Sequence, residues 1–171
     1  MVKKTCGIIG DGTLPFKRGS AGYKAFREAL AELILARGCG EFISGMDRGG
    51  DRLGAELVLE MREELGCTLW GVLSSEEQWI HWANVDADRL FNITERADYE
   101  YRISNHATGD SRLDQLLFIA DNSQKLIVAA EDGKLSPEAR AALVRAVARG
   151  EEVALIDPVT LRVTYPPTVI K

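Results

Sequence analysis

The sequence predicts a doubly wound, Rossmann-like α/β fold. It would be a three-layer sandwich with a mostly parallel sheet of about six strands and a candidate antiparallel edge strand at the C-terminus. Three observations predict it. Strand-like and helix-like segments alternate about six times along the 171 residues, the pattern of βα units that stack into a parallel sheet. Short apolar runs end in glycine and hand over to amphipathic stretches of 3.6-residue period. No internal repeat, low-complexity tract or long linker divides the chain, so one domain over residues 1–171 is expected.

Each element has its own warrant. Thr5–Ile9 in "TCGIIGDG" is a short buried strand closed by glycines. Ser20–Arg37 follows with Tyr23, Phe26, Leu30, Leu33 and Ile34 on one helical face, and Gly38 or Gly40 stops it. Glu41–Ser44 is a second strand. Gly50–Leu65 is a second helix with Leu53, Leu57, Val58, Met61 and Leu65 inward and Gly66 at its end. Thr68–Ser74 is a third strand. Ser75 and Gln78 form a capping-box pattern that opens a helical stretch, Glu76–Ala97, with a break near Asn84. Tyr99–Ser104, "YEYRIS", alternates in polarity and suits a strand near a sheet edge. Ser111 caps a helix to Asp121 whose stripe is Leu113, Leu116, Leu117 and Ala120. Lys125–Ala130 is the most plainly buried strand. Ser136-Pro137 opens a further helix that Gly150 ends. Glu151–Asp157 is a last central strand, and "LRVTY" adds the antiparallel edge.

Composition narrows the function classes. A hydrophobic share of 46% and a charged share of 27% are those of an ordinary globular protein. The net charge of -5 argues against a broad nucleic-acid surface, which needs clustered Lys and Arg. Three separated cysteines, Cys6, Cys39 and Cys67, form no redox or metal motif and sit among apolar residues, so core packing in a reducing cytoplasm is expected. No His, Cys and carboxylate set has metal-ligand spacing, so no metal is expected. The run "TCGIIG" is too short for a secretory leader, and no apolar run approaches a membrane span.

The chemistry concentrates in two glycine-rich loops at predicted strand ends, Gly10–Thr13 and Ser44–Gly50. In an open parallel sheet, ligands bind beyond the strands' carboxyl ends near the switch point. Free N–H groups and the dipole at a helix start favour an anion there, and glycine lets the backbone approach closely. Thr13 and Ser44 offer hydroxyls, while Arg48 and Arg52 offer guanidinium contacts to phosphate. Gly10, Asp11, Gly12, Thr13, Ser44, Gly45, Arg48, Gly49, Gly50 and Asp51 are therefore the candidate ligand-binding residues. A tight structural turn is the competing reading of either loop taken alone. Neither loop is a GxGxxG or a GxxxxGK[ST] motif, which disfavours a standard dinucleotide dehydrogenase and a P-loop NTPase.

The stretch "FISGMDRGGDRLGAE" resembles the SLOG superfamily of Rossmann-like domains, which includes YpsA-like proteins, LOG enzymes and DprA. It is most similar to the YpsA-like branch, where a Ser-Gly-x-x-x-Gly-x-Asp turn leads into a helix carrying Ala-Glu. Ser44, Gly45, Gly49, Asp51, Ala55 and Glu56 fit that order, with Arg48 at a frequently basic position. The segments around Trp79–Trp82, "FIADNSQKLIVAAED" and "GEEVALIDPVTLRV" look like later parts of the same family. The chain departs from it at Ile9-Gly10-Asp11-Gly12, where YpsA-like proteins have Thr-Gly-His-Arg. It also departs at "EDGKLSPEA", where the family has a second glycine motif.

The resemblance implies a cytoplasmic homo-oligomer that binds a nucleotide-derived small molecule (an adenine nucleotide, NAD or ADP-ribose type) as a sensor, with no required cofactor; the composition speaks against a membrane and ranks a nucleic-acid partner low. The alternative it implies is a LOG-like N-glycosidase or phosphoribohydrolase of nucleoside monophosphates, with Asp51 and Glu56 as the candidate catalytic carboxylates. A DprA-like nucleic-acid role and a degenerate domain used for self-association stand behind these. In the binding reading Asp51 faces the ligand or buttresses the loop. In "WIHW", the rings of Trp79 and Trp82 either stack on a base or pack a helix onto the core.

Overall fold

The computed structural model of the protein describes residues 3–10, 18–130, 134–157 and 159–165. Its elements are β1 (Lys4–Gly10), α1 (Ala21–Leu35), β2 (Cys39–Ser44), α2 (Gly50–Leu65), β3 (Thr68–Ser75) and α3 (Asn84–Arg96). They continue with β4 (Tyr99–Ser104), α4 (Ser111–Asp121), β5 (Lys125–Ala129), α5 (Pro137–Ala148), β6 (Glu152–Ile156) and β7 (Val163–Thr164). One seven-stranded sheet runs in the order β4-β3-β2-β1-β5-β6-β7. All neighbours are parallel except β6 and β7, which pair antiparallel. The predicted α/β class, the parallel sheet and the antiparallel terminal edge are all present.

Two apolar cores flank the sheet. On one face Phe26, Leu30 and Leu33 of α1, Leu57, Val58 and Met61 of α2, and Leu90 and Ile93 of α3 pack against Ile8, Phe42 and Leu69. On the other, Leu116, Ile119 and Ala120 of α4 and Ala142, Leu143 and Ala146 of α5 pack against Ile9, Ile43, Val72 and Val128. The central strands are buried on both faces, which is why β1 and β5 read as continuous apolar runs rather than as alternation. Cys6, Cys39 and Cys67 are all buried and unpaired by disulfides.

Local chemistry sets the helix ends. The Ser20 hydroxyl accepts the Tyr23 N–H and the Ser136 hydroxyl accepts the Ala139 N–H, so both residues cap their helices. Gly66 ends α2 in the left-handed region at φ +69°, where a side chain would be strained.

Three expectations are corrected. Ser111 does not cap α4: it is the first residue of the helix, and Asp110 stands at the N-cap without a side-chain capping bond. The Ser75–Gln78 pattern does not open a helix: residues 76–82 are turns and α3 starts at Asn84. Gln78 is drawn away instead. Its Oε1 accepts the Ser74 N–H at 2.8 Å and its Nε2 donates to Gly45 O at 2.8 Å, so it cannot complete a capping box. On α4 the inward stripe is Gln115, Leu116, Ile119 and Ala120, whereas Leu113 and Leu117 are only half-buried and line a groove toward α5. A buried glutamine replaces the leucine that periodicity selects.

Candidate functional site

Strand order reverses between β1 and β5, because the chain builds β2, β3 and β4 on one side of β1 before crossing to the other. A crevice at such a point, beyond the strands' carboxyl ends, is where open α/β sheets hold ligands. Here that switch point falls at the ends of β1 and β5, at Gly10 and Ala129. The predicted residues Asp11, Gly12 and Thr13, and Gly133 of the later loop, lie outside the described residues.

The floor is built from three strand ends and two helix starts. A Cβ on Gly10 would stand 2.5 Å from Gly50 Cα and 2.6 Å from Asp51 N, so β1 meets the first turn of α2 backbone to backbone. Only glycine permits that approach. α2 begins after Gly49 (φ +101°) with no side-chain cap, and its Arg52 and Leu53 N–H groups donate to Asp47 O and Gly49 O, each at 3.0 Å. The left-handed backbone at Met46 (φ +55°) tucks that side chain fully inside. The Ser44 hydroxyl donates to Asp51 O at 2.7 Å and accepts the Met46 N–H at 3.0 Å, holding the turn against α2.

Asp51 is 1% exposed. Its carboxylate accepts the Gly10 N–H and a 2.8 Å bond from Arg112 on the first turn of α4. Arg112 also donates to Gly10 O at 3.1 Å and approaches Asp47 Oδ2 at 3.6 Å. Burial pushes the Asp51 carboxyl up from its ordinary value, and Arg112 pulls against that shift. Beside it, Gln115 Nε2 lies 2.7 Å from Val72 O, 3.1 Å from Gly45 O and 3.0 Å from Gln78 Oε1. A Cβ on Gly45 would collide with the Gln115 amide at 2.7 Å.

The predicted residues therefore divide. Gly10, Ser44, Gly45, Gly49, Gly50 and Asp51 come together at the ends of β1 and β2. Asp51 is not presented to a ligand; it buttresses the loop, because a carboxylate removed from water needs N–H and guanidinium partners. Arg48 is exposed and its guanidinium sits 5.2 Å over the ring of Trp82, rather than folding back as a clamp over the loop. Arg52 is buried against Asp86 at 2.7 Å. Glu56 turns into the groove between α2 and α3, where it bonds Arg89. The Asp51–Glu56 pair of the enzymatic alternative does not converge on one reacting centre.

The "WIHW" segment splits as well. Trp82 packs in part against the core, while Trp79, Ile80 and His81 are exposed and Trp79 meets Phe91 edge to face at 5.1 Å.

Sequence reasoning missed Arg112, Gln115 and Gln78. Arg112 and Gln115 lie far along the chain from Asp51, and only the crossover of α4 brings them to it. Two signals were present. Gln115 interrupts an apolar helical stripe, and Arg112 stands in a first turn, where the helix dipole disfavours a cation unless an acid answers it.

No model of a known family matches the sequence, and no curated protein matches it. Several solved structures resemble the fold, two of them as follows. The Moco carrier protein of Chlamydomonas rheinhardtii is similar with a TM-score of 0.52 and 16% identity, over 91% of this chain and 76% of that one. DNA processing protein A of Helicobacter pylori, whose structure concerns single-stranded DNA binding, is similar with a TM-score of 0.62 and 14% identity, over 92% of this chain and 70% of that one. At these identities the likeness is one of fold, so the chain shares the Rossmann-like architecture of a small-molecule carrier and of a DNA-binding protein.

Proposed function

We propose that the protein binds a small, anionic, nucleotide-derived ligand in the crevice beyond β1 and β5, in the manner of a carrier or sensor. The observation that carries this reading is the uncapped start of α2, reached by close glycine packing and flanked by Arg112. A helix start without a side-chain cap offers dipole and N–H groups to negative oxygen, and Arg112 offsets the charge of Asp51 and Asp47 at the same place. The Asp51, Gln115 and Gln78 network makes that floor rigid, so little ordering is required when a ligand arrives. The small-molecule role of the Moco carrier neighbour supports the same class of function.

Calorimetric titration of the full chain with AMP, NAD and ADP-ribose tests the reading. A saturable heat with at least one of them is expected. Absence of both heat and thermal shift with all three sinks it.

The exposed Trp79–Trp82 turn, with Arg48 over Trp82, favours a second reading: stacking of single-stranded bases, as the DNA-binding neighbour suggests. The net charge of -5 ranks it second. A mobility shift with single-stranded DNA at low salt that vanishes in Trp79→Ala would move it to first place.

A further inference from the structure

The two edges of the sheet are finished differently. β7 closes one side with two residues, too short to template further pairing. β4 closes the other with six residues, Tyr-Glu-Tyr-Arg-Ile-Ser, and among the described residues no strand lies along its outer side. It carries no Pro and no Lys, two of the devices that usually guard such an edge. It is also pre-ordered: Tyr99 stands edge to face with Trp70 at 5.4 Å, and Tyr101 stacks on Phe118 at 4.7 Å and 7°. Yet Tyr99 and Tyr101 remain 58% and 50% exposed.

We infer that β4 is a self-association edge, on which a second copy of this chain adds its own β4 antiparallel to extend the sheet across a two-fold axis. The occupant follows from the order of charges. A two-fold axis normal to the sheet keeps each copy's faces aligned, so residues directly opposite one another share a face. Centring the pair on Glu100 sets Glu100 against its own copy, and centring it on Arg102 does the same for Arg102; both are repulsive. Centring it on Tyr101 sets Glu100 opposite Arg102 twice on one face. On the other face it sets Tyr101 against Tyr101 and Tyr99 against Ile103. Aromatic and opposite-charge pairs of this kind are those that stabilise neighbouring strands. In the isolated chain Arg102 bonds the exposed Glu76, a surface ion pair that pairing can replace at little cost. This inference is independent of the ligand site, since β4 lies at the sheet margin.

A six-residue edge makes a small interface, so a concentration-dependent dimer with a dissociation constant on the order of 10 μM is expected in sedimentation. Glu100→Arg gives a chain positive at both positions, and Arg102→Glu gives one negative at both. Each alone is expected to dimerise at least about tenfold more weakly, because two attractive pairs become repulsive. Mixed in equal amounts they are expected to restore the dimer, which mere damage to either fold could not do. Tyr101→Cys is expected to cross-link on mild oxidation, while Val144→Cys, on the exposed face of α5, is not. A chain that stays monomeric at several hundred micromolar, a dimer indifferent to the single reversals, a mixture that fails to assemble, or cross-linking at position 144 instead of 101 overturns the inference.

Discussion

Arg112 and Asp51, sixty-one positions apart, bond at 2.8 Å across the end of β1 and thereby join the first turn of α4 to the first turn of α2. The two helices cover opposite faces of the sheet. This pair ties their starts together and helps to fix the shape of that corner.

Asp51→Ala removes the acceptor for both the Gly10 N–H and Arg112. Because the carboxylate is buried and its arginine half-exposed, a loss of about 2–3 kcal/mol is expected, below the upper range for breaking a fully buried pair. Urea denaturation measures it. A change under about 0.5 kcal/mol would show that the pair does not hold the floor.

Gly10→Ala forces a methyl group to within 2.6 Å of two backbone atoms of α2, which cannot swing aside as a side chain would. A destabilisation of about 3 kcal/mol is expected, while Gly109→Ala, where a Cβ meets nothing within 4 Å, stays within about 0.5 kcal/mol of the parent. Thermal unfolding of the two variants side by side makes the comparison. Equal midpoints would mean that the close contact is not maintained in solution.

Gln115 and Gln78 share Gly45 O as acceptor and face each other at 3.0 Å. Gln115→Leu also strips the partner from Val72 O, so about 1–3 kcal/mol is expected for that single change. Gln78→Leu and the double variant complete a cycle. A coupling of at least about 0.5 kcal/mol marks them as one network, and strict additivity would dissolve it.

Glu151 is 4% exposed in its side chain, and its Oε2 has no hydrogen-bond partner among the described residues. Burial pushes its carboxyl up to about 7, and the bond from Arg149 only partly offsets this. The folded chain then holds a proton that the unfolded chain releases from about pH 4.5 upward. This contribution is present at low pH and is lost as pH rises from about 4.5 to about 7, with a slope of at most about 1.4 kcal/mol per pH unit. Glu151→Gln is expected to flatten that part of the stability profile and to leave the variant more stable than the parent at pH 8. Parallel profiles for the two proteins would refute the assignment.

The sequence by itself determined the architecture. Period-2 and period-3.6 apolar patterns, serine caps and terminal glycines act between near neighbours, so they can be read without knowing the fold. The span of α2 from Gly50 to Leu65, the strand Tyr99–Ser104 and the Ser136 cap were legible for that reason. The glycines at Gly10 and Gly45 marked where β1 and β2 meet α2 and Gln115 at close range, because close approach leaves a trace in composition. Tertiary structure decided what fills that corner. Asp51 could face outward or inward on the same helix, and inside it meets the Gly10 N–H and the Arg112 that α4 delivers to it. Gln78 could have capped a helix, but Gly45 O and Gln115 compete for its amide. Such choices rest on partners brought together by the crossover from β4 to β5, and their energies exceed the local preferences that a linear pattern records.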